Sequence, residues 1–219
     1  MKYSNPIISG FNPDPSICRV GKDYYLVTSS FEYFPGIPIF HSKDLVNWTQ
    51  IGNCVQHSDQ FPLDHVKDSG GIWAPSIRYD KGLFYVTATL EKYGNFIITS
   101  SNPSGEWSKP LWMSIGGIDP SLYFEDDKAY YCTNQSLHRG REEITMAEIN
   151  IKTGDIIGEQ RAIWEGIGGG FLEAPHIYQV GEWYYLIAAE GGTNFNHMIT
   201  IARSKYIWGP YDSCPNNPI

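Results

Sequence analysis

Gly10-Phe11-Asn12-Pro13-Asp14-Pro15-Ser16-Ile17 holds one aspartate between two prolines. Each proline fixes its own φ and steers the residue before it toward extended backbone, so the stretch predicts an Asp14 carboxylate that cannot swing with a flexible loop. Its tail recurs. Asp14-Pro15-Ser16-Ile17 returns as Ala74-Pro75-Ser76-Ile77, as Asp119-Pro120-Ser121-Leu122 and as Ala174-Pro175-His176-Ile177, at intervals of 45 to 60 residues. That is the repeat length of propeller blades.

Each copy leads into an aromatic and β-branched run: Asp23-Tyr24-Tyr25-Leu26-Val27, Leu83-Phe84-Tyr85-Val86, Ala129-Tyr130-Tyr131-Cys132 and Glu182-Trp183-Tyr184-Tyr185-Leu186-Ile187. Turns at Gly21, Asp80-Lys81-Gly82, Asp126-Asp127 and Gly181 make these read as hairpins. A third strand follows in each unit, at Ile37–Ser42, Ile97–Ser101, Ile144–Ile149 and Ile199–Ser204, and it runs on into a turn. No helical period occurs anywhere. Turn-punctuated strands also suit a β-sandwich, but four turns of one unit favour an all-β propeller, whose first strands line a central channel and bring equivalent positions around one axis.

Two longer segments, Gly52 to Gly71 and Asn134 to Glu143, read as inserted rim loops. The end of the chain, Pro215-Asn216-Asn217-Pro218-Ile219, echoes Asn5-Pro6-Ile7 as the approach to a further blade. A four-bladed propeller is possible, but the echo favours a further blade, so the sequence is read as one propeller domain over residues 1–219 with about four blades present, C-terminally incomplete.

A net charge of −8 without any Lys/Arg-rich run argues against nucleic acid or an anionic membrane as partner. The N-terminus lacks the apolar run of a secretory leader, and no segment is long enough to span a bilayer, so a soluble cytoplasmic protein is expected. Cys18, Cys54, Cys132 and Cys214 form no CxxC pair, and the six histidines show no metal-ligand spacing; buried free thiols and no metal site are expected.

Superposing the repeats puts Asp14 and Asp119 at one blade position, while Glu173 precedes Ala174 and aligns with Trp73. Taken singly, each acid also fits a turn cap. Three at repeat-related positions suit glycosidic bond cleavage, which needs one acid to protonate the leaving oxygen and a carboxylate opposite it, with a third carboxylate able to keep the acid protonated. Trp73 sits where a sugar face can stack.

Together with Ser69-Gly70-Gly71-Ile72-Trp73-Ala74-Pro75 and Ala189-Glu190-Gly191-Gly192-Thr193, these motifs make the chain resemble glycoside hydrolase family 43, in its β-xylosidase branch. The resemblance implies a five-bladed propeller that removes xylose, sometimes arabinose, from non-reducing ends of xylooligosaccharides with inversion. It implies Asp14 as general base, Glu173 as general acid and Asp119 as the group that tunes that acid, with Phe31, Trp73, Ala74 and Thr193 shaping the sugar pocket. It also implies a further blade carrying a histidine and an arginine and a C-terminal β-sandwich, neither of which has a counterpart in these 219 residues. No organic cofactor follows from it; it leaves room for a calcium ion or a water in the central channel, and for a homo-oligomer. An α-L-arabinofuranosidase or a bifunctional enzyme would use the same acids, and a non-catalytic carbohydrate-binding propeller is the reading from another class.

Overall fold

The computed structural model describes residues 3–219, all β apart from one 3-10 turn at Leu63–His65. Sixteen strands form four antiparallel sheets of four, each a meander in chain order, which is the topology of a propeller blade. The first sheet comprises β1 (Ser16–Val20), β2 (Asp23–Val27), β3 (Gly36–Ser42) and β4 (Thr49–Val55); the second β5 (Ile72–Asp80), β6 (Leu83–Leu90), β7 (Gly94–Ser100) and β8 (Leu111–Trp112). The third holds β9 (Ile118–Glu125), β10 (Lys128–Asn134), β11 (Ile144–Ile149) and β12 (Ile156–Trp164); the fourth β13 (Glu173–Val180), β14 (Trp183–Glu190), β15 (Met198–Ser204) and β16 (Asp212–Ser213). Among the described residues no helix is long and apolar enough to cross a membrane.

Two compact units divide the chain, one ending at Trp112 and the other running Met113–Ile219, each with two sheets. Alternating side chains build a separate core in each. Val27, Ile39, Ile72, Ile77 and Phe96 close the first, and Cys132, Met146, Leu172, Ile177 and Leu186 the second. Within each unit the first strands pack side by side, β1 on β5 and β9 on β13. A motif serine ties each pair: Ser16 Oγ accepts from the Ile77 N–H at 3.2 Å, and Ser121 Oγ donates to the Pro175 carbonyl at 2.5 Å.

The repeated motif is a bulge in each first strand. Ala74-Pro75 lie opposite Ala88 alone, Asp119-Pro120 opposite Thr133, and Ala174-Pro175 opposite Ala188. In the first sheet Asp14-Pro15 take the same place opposite Thr28, between the Ser16–Val27 pair and the Ser29 N–H bond to the Pro13 carbonyl. The residue before proline has positive φ in all four copies: 52° at Asp14, 39° at Ala74, 52° at Asp119 and 49° at Ala174. This corrects the expectation of an extended Asp14. In these bulges the first of the two residues is left-handed, and the local ladder geometry outweighs the average preference of a residue preceding proline.

The polar turns after the third strands are also explained by their side chains. Ser42 Oγ accepts from the Asp44 and Leu45 N–H groups, and Asp44 accepts from Val46 and Asn47. Those bonds hold the Asp44 carboxyl well below the usual carboxylate range. The first inserted loop is shorter than expected, because Gly52 to Val55 finish β4. Cys18, Cys54, Cys132 and Cys214 are all free thiols, but only Cys54 and Cys132 are buried as expected; Cys18 and Cys214 are half-buried. Burial pushes the Cys18 thiol up to about 12, with Arg78 pulling weakly the other way, so it is no nucleophile at neutral pH.

Glycine is required at position 71. A Cβ there would stand 2.1 Å from the Phe31 carbonyl oxygen, at φ 89°. Gly21 has φ 62° but open space around it. Gly21→Ala is therefore expected to cost only the left-handed penalty of about 1 kcal/mol, and Gly71→Ala at least about twice that. Urea unfolding of the two variants checks the order.

Candidate active site

In the first unit the bulge of β1 presents Asp14 to solvent, and Ser29 takes hold of it. The Ser29 hydroxyl donates to Asp14 Oδ2 at 2.5 Å and accepts from the Ala74 N–H at 2.7 Å. One side chain thus bridges the bulges of two neighbouring blades. Two residues on, Phe31 and Ile72 exchange both backbone bonds, at 3.0 and 3.1 Å, which ties Phe31 to the residue that precedes Trp73. The Trp73 indole N–H donates to the Ser69 carbonyl at 3.1 Å, and the Ser69 N–H donates to Glu32 at 3.1 Å. Phe31, Trp73 and Ala74 are half-buried. The Phe31 ring has Phe11 at 5.8 Å between centroids.

In the second unit Asp119 and Glu173 are half-buried and stand at the bulges of the packed strands β9 and β13. Glu173 is approached by a glycine-rich loop whose shape Glu190 dictates. The Glu190 side chain is buried and accepts from the Ile167 and Gly169 N–H groups at 2.9 and 2.6 Å and from the Thr200 hydroxyl at 3.0 Å. A Cβ at Gly169 would meet Met198 at 2.1 Å and Glu190 at 3.0 Å, so the glycine lets the loop close over this carboxylate. From the other side the Asn134 amide donates to the Leu172 carbonyl, directly before Glu173, and Glu142 accepts from the Phe171 N–H at 2.9 Å. Thr193 lies on the exposed loop after Glu190, where Gly192 rests against the Phe171 ring.

The first unit therefore gathers Asp14, Ala74, Phe31 and Trp73, and the second pairs the strands of Asp119 and Glu173, with Thr193 on a neighbouring loop. Sequence reasoning missed Ser29 and Asn134. They were legible: each follows its aspartate by the same interval, Asp14 to Ser29 and Asp119 to Asn134, and each bonds to the next blade of its unit. Among the described residues no three His, Cys, Asp or Glu side chains stand close enough to share a metal ion.

The family model for Glycosyl hydrolases family 43 matches residues 3–219. The chain belongs to this family. It is 44% identical over 222 residues to a non-reducing end α-L-arabinofuranosidase of Bacteroides ovatus, covering 99% of this chain and 41% of that protein. It is 42% identical over 232 residues to a β-xylosidase of Bacillus subtilis, covering 100% of this chain and 44% of that one. The solved xylan β-1,4-xylosidase of Bacillus halodurans superposes with a TM-score of 0.92 at 37% identity, over 99% of this chain and 44% of that chain. This family 43 chain thus spans less than half the length of the relatives it matches.

Loop anchoring around the second unit is pH-dependent through Glu143, whose side chain is fully buried and accepts from the Leu137 and His138 N–H groups and from His138 Nδ1. Burial works to raise its pKa, but those three bonds outweigh it and hold the carboxyl below its ordinary value of 4.5. A depressed carboxylate contributes stability above its unfolded pKa and loses it as pH falls through the lower, folded one. Glu143→Gln is expected to lose about 1–3 kcal/mol at pH 7, with the gap to wild type closing below pH 4.5. Thermal unfolding across that range checks it.

Proposed function

We propose that this chain carries the acidic groups of an exo-acting glycoside hydrolase that releases xylose from the non-reducing end of β-1,4-xylooligosaccharides with inversion. In this reading the whole propeller has five blades, four of them in this chain. The observation that carries it is the recurrence of one bulge at which acids, rather than the alanines of the alternate copies, stand at positions 14 and 119, with Glu173 one residue before a third. A bulge re-aims a side chain out of the strand's alternation, which is what a working carboxylate needs and a packing residue does not.

Each group then has one task. Asp14, exposed and held through one oxygen by Ser29, would accept a proton from the attacking water with the other. Glu173 would protonate the leaving oxygen. Asp119, on the strand packed against that of Glu173, would orient that acid and favour its protonated form. Trp73 and Phe31 would offer apolar faces to the sugar ring, with Ala74 and Thr193 at its margins. The proposed chemistry uses no organic cofactor.

The similarity to a Bacteroides ovatus arabinofuranosidase supports a second reading, hydrolysis of terminal α-L-arabinofuranosyl groups by the same acids, alone or beside the first. The ratio of kcat/KM on aryl β-xyloside and aryl α-L-arabinofuranoside separates the two.

Glu173→Ala is expected to slow xylobiose hydrolysis by roughly 10²–10⁴-fold while an aryl xyloside with a highly activated leaving group loses far less, since only the former needs protonation. Asp14→Ala is expected to slow both alike. Equal slowing of the two substrates by Glu173→Ala contradicts the acid assignment.

A further inference from the structure

We propose that Ser29 is the positioning residue of the Asp14 carboxylate, an inference that rests on Asp14 being the general base. A serine hydroxyl has a single proton and rotates to suit its partners. Here that freedom is gone. The Ala74 N–H points into the oxygen at 2.7 Å, so the proton is left to Asp14 Oδ2 at 2.5 Å.

The direction of the Ala74 N–H is in turn set by backbone, not by side-chain chance. Ala74 is the left-handed residue of its bulge, at φ 39°, and the following Pro75 has no N–H to compete for the hydroxyl. Ser29 is itself fixed from both sides. Its N–H donates to the Pro13 carbonyl at 3.0 Å, and Phe31 beyond it is paired with Ile72. Its residue surface is only 2% exposed, whereas Asp14 is exposed.

An exposed aspartate on a bulge would otherwise sample several rotamers, of which one presents a lone pair to water in the right direction. Binding Oδ2 to a hydroxyl that cannot turn selects the carboxylate plane and reserves Oδ1 for the water's proton. The alanine of the second blade thereby acquires a use that its methyl group does not suggest: its amide aims the serine that aims the base.

The test compares Ser29→Ala, Ser29→Thr, Asp14→Ala and the Ser29→Ala/Asp14→Ala double variant in the full chain, on xylobiose and on an activated aryl xyloside. Ser29→Ala is expected to lower kcat by about 10- to 100-fold on both substrates with KM within about twofold, the pattern of a group acting only in the transition state. Ser29→Thr, which keeps the hydroxyl, is expected to recover most of that loss. In the Asp14→Ala background, removing Ser29 is expected to cost nothing further, whereas a purely structural serine would cost the same again.

A kcat for Ser29→Ala within twofold of wild type, a loss shared in full by Ser29→Thr, or additive losses in the double variant would each overturn the proposal. Should Ser29→Ala not fold, Ser29→Cys, with its weaker donor, is expected to lower kcat at unchanged KM, and a wild-type kcat overturns it. Wild-type turnover by Asp14→Ala would instead remove the base assignment itself. Loss in Asp14→Ala with an unaffected Ser29→Ala removes only the positioning role.

Discussion

A left-handed residue followed by proline, set once in the first strand of every sheet, is the constraint on which the rest of this structure depends. At Asp14, Ala74, Asp119 and Ala174 the ladder fits two residues against one, with φ between 39° and 52°. An L-residue there costs of order 1–2 kcal/mol, less for aspartate, whose short polar side chain tolerates this region. Proline in second place removes an amide that the bulge would leave unpaired. Where an amide does remain, at Ala74, the Ser29 hydroxyl takes it up.

The cost is met by packing within each unit. The bulges sit above cores whose largest buried side chains, among them Ile39, Ile72, Ile77 and Phe96 in one unit and Tyr131, Leu122, Ile144 and Met146 in the other, are almost wholly removed from solvent. Motif serines then bind first strand to first strand, and Tyr184 donates to Glu125 at 2.6 Å to bind second strand to first. The left-handed strain of the repeated motif is thus held near the starts of the first strands, an arrangement frequent at working sites.

Much of this was legible in the residues. The four third strands, the hairpin turns and the repeat follow from aromatic and β-branched runs punctuated by glycine and aspartate, because side-chain period and turn chemistry are local properties. The left-handed Asp14 was not, since the rule for residues before proline describes an average and the ladder opposite Thr28 is a tertiary demand. Glu190 was visible as part of a motif but not as the buried anchor of the Gly166–Gly170 turn, because burial of a glutamate depends on three donors that converge only after folding. Ser29 and Asn134 escaped because serine and asparagine carry no signal of their own; only their equal distance from Asp14 and Asp119 marks them.

In the proposed reading Asp14, held at one oxygen by Ser29, would deliver water rather than attack the sugar. The anomeric form of the first sugar released distinguishes these directly. Proton NMR during hydrolysis of an aryl β-xyloside, read before mutarotation, should show α-xylose appearing first. If β-xylose appears first, the role given to Asp14 is wrong.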